Sequence, residues 1–404
     1  MSNKITFTIL SISLLTVLAG AAVAPALGAI QQHFSDQPML YVKLIVSIPS
    51  LFIILVNLLF PKVCKYLRTR TIALIGLALY VVCGVGAFLV DEIHALLVVR
   101  AVFGVSVGLM MPLSTGLLAY YFPPEKIAKL MGLSSGMNQF GGVVSTFLAG
   151  YLSTVQWNYA FFVYALGLIV IVLVLLYLPN EKLNPGQAYR HEVNMVEPGN
   201  SEDEAKQLAR SEGLLYMIRR FHPSVVGMLF NMGLFFVFAT NFAIIERDMF
   251  QELTVTLLMV LTDVMAFAAG IMFGRLMGIF PVQMKYIAPV LYFVAFGLLA
   301  FGGCRAATVV GIVLIGFANG LEIPYINTIG SIKGGKDSVT TVMPLISAAL
   351  YLGQFISPVI VGALSDAAFS DDMRGPYKIG IFFSVLFFIQ VVCTRHFQSL
   401  PPRK

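Results

Sequence analysis

Residues 180–223 read NEKLNPGQAYRHEVNMVEPGNSEDEAKQLARSEGLLYMIRRFHP and form the only long polar stretch in a chain of 404 residues. On either side the sequence is a series of apolar runs. Before it they lie near 5–29, 39–60, 71–90, 95–118, 130–152 and 159–179. After it they lie near 224–245, 253–274, 286–303, 307–329, 340–362 and 376–394. A helix needs about 20 mostly apolar residues to cross a bilayer, and each run is close to that length. The polar stretch therefore divides the chain six and six. The expected fold is an all-α membrane protein with twelve transmembrane helices in two six-helix bundles. An N-terminal bundle occupies 1–179, a cytoplasmic linker 180–223 and a C-terminal bundle 224–404.

Composition agrees. Apolar residues are 58% and charged residues only 11%, against roughly 25% charged in a soluble domain. A cytosolic enzyme, a disulfide scaffold and a disordered chain are excluded. Cys64, Cys83, Cys304 and Cys393 show neither paired nor metal-ligand spacing, so no disulfide framework, metal or cofactor is expected. The net charge of +6 has a topological source, and no nucleic-acid partner is expected. If both termini are cytoplasmic, only Lys43, Arg100, Arg247, Arg305, Arg374 and Lys378 of the 26 basic residues fall outside or in the outer half. That is the positive-inside pattern. Lys4 before an apolar run, with Ala-Gly-Ala-Ala-Val-Ala at 19–24, imitates a signal peptide. The run continues past that site, so an uncleaved first span is expected. In the linker, Ser201-Glu202-Asp203-Glu204 is a capping box. It predicts a short amphipathic helix from about 202 to 212 that tethers the two bundles along the inner face.

Three stretches carry a family resemblance. On the fourth span stands Leu96-x3-Arg100-x2-Phe103-Gly104, continuing to Gly108. On the fifth stands Gly132-x8-Gly141-x3-Ser145-Thr146-x2-Ala149-Gly150. The loop after the second span keeps Lys65, Arg68 and Arg70, and its counterpart in the second half reads Gly270-x3-Gly274-Arg275. With six plus six spans, these stretches resemble the major facilitator superfamily over nearly the whole chain. Tyr121-Phe122-Pro123-Pro124-Glu125 and Trp157 are similar to small bacterial drug–proton antiporter-type members. The fifth-span pattern has Ser-Thr where those antiporters have Gly-Pro. The resemblance implies a secondary transporter of two rocking bundles, and its efflux-like phrases imply export. Glycines 104 and 108 allow close helix contact.

Ionisable residues at membrane depth are rare and informative. Three lie within the predicted spans: Arg100, Asp263 and Glu322. Asp263, about ten residues into the eighth span, sits near the midplane at a rise of ~1.5 Å per residue. A carboxylate there is costly unless paired, solvated or protonated. Asp263 and Glu322 are therefore the proton-coupling candidates. Glu322 lies in Asn319-Gly320-Leu321-Glu322-Ile323-Pro324-Tyr325. Pro324 has no N–H for the carbonyl of Gly320, so the helix is expected to kink or open there. Asn319 and Glu322 share a face. Gly104, Gly108, Gly320 and Pro324 are the gating and packing candidates. Substrate-binding candidates are Arg100, Asn138, Gln139, Asn231, Asn241, Asn319 and Gln354; interhelical bonding is the plainer role for the neutral ones. Phe235, Phe236 and Phe238 read as packing or lipid-facing, and Glu246-Arg247-Asp248 as a solvated loop or an outer gate. Gly330-x4-Gly335-Lys336 imitates a phosphate loop but lacks the following Ser or Thr and a preceding strand.

The sequence therefore predicts a non-enzymatic secondary transporter, monomeric, in the cell (inner) membrane. Its partners are a small organic or amphipathic molecule, protons and the lipid bilayer, with proton-coupled export expected. The alternatives are proton-driven uptake of an organic solute, and a membrane receptor or lipid-handling protein without coupled transport.

Overall fold

Apolar runs become helices because a buried or lipid-exposed backbone must satisfy its own N–H and C=O groups. The computed structural model describes residues 3–121, 124–182, 213–334, 342–370 and 372–394. The first half contains α1 (Asn3–Ala21), α2 (Leu27–His33), α3 (Met39–Tyr66), α4 (Thr69–Gly86), α5 (Ile93–Tyr121), α6 (Pro124–Ser153) and α7 (Gly167–Tyr177). The second contains α8 (Gly213–Ile245), α9 (Glu252–Ile279), α10 (Met284–Phe301), α11 (Arg305–Gly334), α12 (Met343–Ala368) and α13 (Gly375–Cys393).

Among the described residues ten segments are long and apolar enough to cross a membrane, and a shorter apolar helix covers Lys4–Thr16. The first span is broken. Pro25 lies in a tight 3-10 turn, Ala24–Ala26, after which the chain restarts as α2. The sixth span opens as a 3-10 helix, Trp157–Leu166, before α7. Helix α8 begins at Gly213, earlier than the predicted span at 224. The predicted linker helix at 202–212 lies outside the described residues. Leu58, Leu89, Val82, Ile271 and Phe301 present more than two thirds of their surface outward, as lipid-facing side chains do.

The helices run up and down between two ends. At one, Thr69 N and Oγ1 both bond Glu181 O at 2.9 Å, and Gln390 Nε2 bonds Pro223 O at 3.1 Å. Lys62, Arg68 and Arg70 lie at this basic end. At the far end, His33 Nε2 meets Asp91 Oδ1 at 2.6 Å and its ring stacks on Trp157 at 4.7 Å. Arg305 Nη2 there donates to Met249 O at 3.3 Å.

The two halves repeat one packing skeleton, which the sequence reading did not find. Tyr80/Tyr292, Gly104/Gly316, Gly108/Gly320, Pro112/Pro324, Gly141/Gly353 and Ser145/Ser357 all stand at one constant offset. Their contacts match. A methyl on Gly104 would stand 2.8 Å from Pro49 Cα, and one on Gly108 would stand 2.7 Å from Val56 Cβ, both on α3. Gly316 and Gly320 press likewise on Thr262 O and Ala266 O of α9. Tyr80 OH donates to Leu15 O of α1 at 3.3 Å, and Tyr292 OH to Asn231 O of α8 at 3.4 Å. The halves meet along α3–α12 and α6–α9. At the far end Gly28 of α2 rests on Ala243 O of α8.

Candidate functional site

Arg100 is fully buried on α5. Its Nε donates to Ile45 O of α3 at 2.8 Å and its Nη1 to Tyr164 OH at 3.1 Å. The guanidinium lies over the Phe103 ring at 4.6 Å and the Tyr164 ring at 5.5 Å. A planar, weakly hydrated cation suits such an aromatic site. Arg100 thus bonds a backbone carbonyl and a hydroxyl, and both of these partners belong to the first half. A snorkelling arginine would have an exposed head; this one has none.

The second half brings two of the neutral polar candidates, Asn231 and Asn319, close to Glu322 in the chain fold. Asn231 Nδ2 of α8 donates to Asn319 Oδ1 of α11 at 3.0 Å, and Tyr292 OH of α10 donates to Asn231 Oδ1 at 3.1 Å. Glu322, one turn beyond Asn319, is 2% exposed and lies in electrostatic reach of Tyr292 and Tyr325. Among the described residues nothing hydrogen-bonds or ion-pairs its carboxylate. Helix α11 runs on through Pro324 without opening, and Thr328 Oγ1 returns a bond to Pro324 O at 2.7 Å. One missing N–H does not break a helix whose glycine face is clamped on α9. The broken helix is the first span instead.

Asp263 stands at the seam between the halves. It is half-buried, and Thr146 Oγ1 of α6 donates to its Oδ2 at 2.7 Å. The opposite seam is neutral: Ser50 Oγ of α3 donates to Gln354 Oε1 of α12 at 2.8 Å. Gln354 Nε2 reaches Met232 Sδ at 3.6 Å, and Tyr351 OH reaches Met111 Sδ at 2.9 Å. Asn138 Oδ1 on α6 is buried without a hydrogen bond, and Gln139 beside it is half-buried. Asn241 stands apart from this group, its Nδ2 bonding Val237 O of its own helix at 2.7 Å. Phe236 and Phe238 are buried and pack, as expected. An apolar crevice lined by Leu229, Phe230, Leu234, Ile356 and Phe383 holds none of the candidate acids.

The reading of Glu246-Arg247-Asp248 as a solvated loop needs correction. Asp248 is exposed, but Glu246 is 1% exposed, covered at the far end of the second half. Thr146, Ser50 and Tyr292 were missed. Thr146 sat inside the quoted fifth-span stretch, and Tyr292 could have been found from its repeat partner Tyr80.

With the two-fold helical skeleton and its central seam in view, the comparisons are decisive on family. The family model described as Major Facilitator Superfamily matches residues 9–358. The chain belongs to the major facilitator superfamily. It is a multi-pass membrane protein and a secondary transporter of a small molecule, not an enzyme. The quinolone resistance protein NorA of Staphylococcus aureus is 25% identical over 320 residues, covering 74% of each chain. Among solved structures, a point mutant of the nucleoside transporter NupG superposes with a TM-score of 0.76 at 11% identity, covering 96% of this chain and 99% of that one. The D-xylose-proton symporter gives 0.73 at 13% identity, covering 95% and 97%. A bacterial homolog of the human lysosomal transporter Spinster, inward-facing and occupied, gives 0.69 at 15% identity over 100% of both chains. At such identities the structural matches speak for the fold.

Proposed function

We propose that this transporter exports a small organic or amphipathic molecule in exchange for protons. Alternating access would come from two bundles, 1–179 and 224–404, rocking about the central seam. The observation that carries the reading is the Thr146–Asp263 bond, an ionisable link between the halves, set against the neutral Ser50–Gln354 link on the other side. An ionised Asp263 accepts a charge-assisted bond, roughly twice as strong as a neutral one. Proton binding weakens that bond, so the proton count biases how the halves meet. Glu322, buried and without a counter-charge in contact, is the second proton site or the counter-charge of a cationic substrate. Asn231, Asn319, Asn138, Gln139 and Gln354 supply neutral bonds to the substrate. Arg100 positions α3, α5 and the sixth span from behind the site.

The basic end is cytoplasmic in this reading, by the positive-inside rule, and the protein works as a monomer in the cell (inner) membrane. Export is supported by the similarity to a quinolone resistance protein, which makes norfloxacin the first probe to try. In proteoliposomes with an imposed pH gradient, norfloxacin or ethidium should accumulate against its gradient. Asp263→Asn should reduce accumulation to the protein-free level, while Ser50→Ala, which removes one neutral bond of about 1 kcal/mol, should keep most of it. Wild-type protein that equilibrates both probes without concentrating either would end the proton-coupling reading.

A further inference from the structure

We infer that Tyr351 and Gln354 are the specificity-determining donors of the transport site, and that they select an aromatic molecule carrying an oxygen acceptor, a ring carbonyl or a carboxylate. This rests on the transport reading above and names the chemistry of what is carried. Both residues stand on α12 at the seam, three apart and so on one face of the helix. The Tyr351 hydroxyl donates to Met111 Sδ of α5 at 2.9 Å, and Gln354 Nε2 to Met232 Sδ of α8 at 3.6 Å. Ser50 Oγ of α3 donates to Gln354 Oε1 at 2.8 Å. The amide oxygen is therefore already used, and the nitrogen is the end that meets sulfur.

A thioether is a weak acceptor. Phenol and amide are full-strength donors, and a donor taken from water and given a poor acceptor regains only part of what it lost. Elsewhere in the fold such donors find oxygen: Tyr80 on Leu15 O, Tyr292 on Asn231 Oδ1 and Ser357 on Gly233 O. One turn of α12 thus holds two donors that a ligand oxygen would satisfy better than the protein does. The sulfurs can yield, because methionine is unbranched with three rotatable bonds. Once released, a thioether makes favourable contacts with an aromatic ring. Donors and sulfurs together describe the ligand: an aromatic body for Met111 and Met232, with an oxygen at its edge for Tyr351 and Gln354.

The place is open and shared. Helices α5 and α12 do not pack along one another, so Tyr351 reaches across a gap between them to find Met111. Met111, Tyr351 and Gln354 are each half-buried, which leaves space beside their contacts. Met111 and Ser50 come from the first half; Tyr351, Gln354 and Met232 come from the second. A ligand held here is gripped by both bundles, as a site at the interface of two rocking repeats must be. When it leaves, Tyr351 returns to Met111 and Gln354 to Met232, through bonds weak enough to exchange again.

The test is equilibrium binding to the purified full chain in detergent, with no gradient. It can fail while proton-coupled export stands, and succeed while coupling fails. Two fluorescent probes are compared: norfloxacin, an aromatic ring bearing a carbonyl and a carboxylate, and ethidium, an aromatic cation with no oxygen. The ratio of their affinities cancels contacts that both rings share. Tyr351→Phe and Gln354→Leu should each lower the norfloxacin-to-ethidium ratio about tenfold, the worth of one hydrogen bond. Met111→Leu keeps the volume and removes the sulfur that competes for the Tyr351 hydroxyl. It should raise the ratio a few-fold, and the rise should disappear in combination with Tyr351→Phe. A purely structural Tyr351–Met111 contact predicts the same direction for both variants. Wild-type protein that binds no norfloxacin would overturn the inference. So would a ratio that Tyr351→Phe and Gln354→Leu leave unmoved, or one that Met111→Leu fails to raise.

Discussion

The two halves share a skeleton and differ in chemistry. Gly104 and Gly108 let α5 lie on α3, and Gly316 and Gly320 let α11 lie on α9. Tyr80 and Tyr292 each tie the third span of their half to its first. Even the exceptions complement each other. Gly84 makes room for Tyr164, whereas its repeat partner Phe296 fills the space that Gly380 leaves. Polar content breaks the symmetry. Arg100 corresponds to Ile312, and Glu322 corresponds to Met110. The first half buries a cation whose bonds are met at home; the second buries a carboxylate with no bond at all among the described residues. Shape is therefore duplicated while charge is not, and a device in which protonation alters one half against the other needs that asymmetry.

The sharpest way to break the comparison is to make the second half resemble the first. Glu322→Met copies Met110 and removes a lone buried carboxylate. It should abolish gradient-driven accumulation while raising the melting temperature in detergent. Retained accumulation would show that the asymmetry at this position has no part in coupling.

The shared skeleton is tested by overpacking both copies. Gly104→Val and Gly316→Val should each cost about 3 kcal/mol, read as matching drops in thermal stability. Gly297→Ala is the control, because nothing lies within 4 Å of its added methyl, and it should be neutral or slightly stabilising. Unequal losses at Gly104 and Gly316 would mean that the two close approaches are not equivalent.

Arg100→Leu makes the first half resemble the second, where Ile312 stands. It removes one bond from Ile45 O and one from Tyr164 OH, at roughly 1–3 kcal/mol in total. Stability should fall, but the pH dependence of transport should keep its midpoint. A displaced midpoint would mean that Arg100 acts on a coupling carboxylate after all.

The smallest effect belongs to the far-end turns, where the described residues of each half show a close acid–base contact: His33–Asp91 and Lys378–Asp372, both at 2.6 Å. A hydrogen bond from Lys378 and one from the Arg374 backbone N–H hold the Asp372 carboxyl below its ordinary range. A depressed carboxylate stabilises the fold above its unfolded value and loses that contribution as pH falls through the folded one. Asp372→Asn should therefore lower the melting temperature slightly at pH 7, and the deficit should vanish in acid. Asp372 is more than a third exposed, so solvent screening keeps the effect to a few tenths of a kcal/mol. A deficit that persists in acid would trace the loss to packing rather than charge.

Much of this was legible because it is local. Apolar run length sets the free energy of transfer into a bilayer, so the spans could be read one by one, and the expected depth of Asp263 came from helix rise. The Gly-x3-Gly-x3-Pro string at 104–112 and again at 316–324 was equally available. Reading the two copies separately, the first for helix contact and the second for a kink, concealed the repeat. The helix stays continuous through Pro324 because proline's missing N–H is a local cost, whereas the close approach of Gly320 to Ala266 is a tertiary gain.

By itself the sequence determined the number of apolar runs, the six-plus-six division, the basic end and the few ionisable residues at depth. Each depends on composition within one turn or one span. Tertiary structure alone decided which group each of those residues meets. Arg100 finds a carbonyl 55 residues away, and Asp263 a hydroxyl 117 residues away across the seam. Glu246, whose neighbours in sequence read as a solvated turn, is buried because α11 and the turn before α13 close over it. A charge in a medium of low dielectric is governed by its nearest partners, and which helices supply them is settled by packing between segments far apart in the chain.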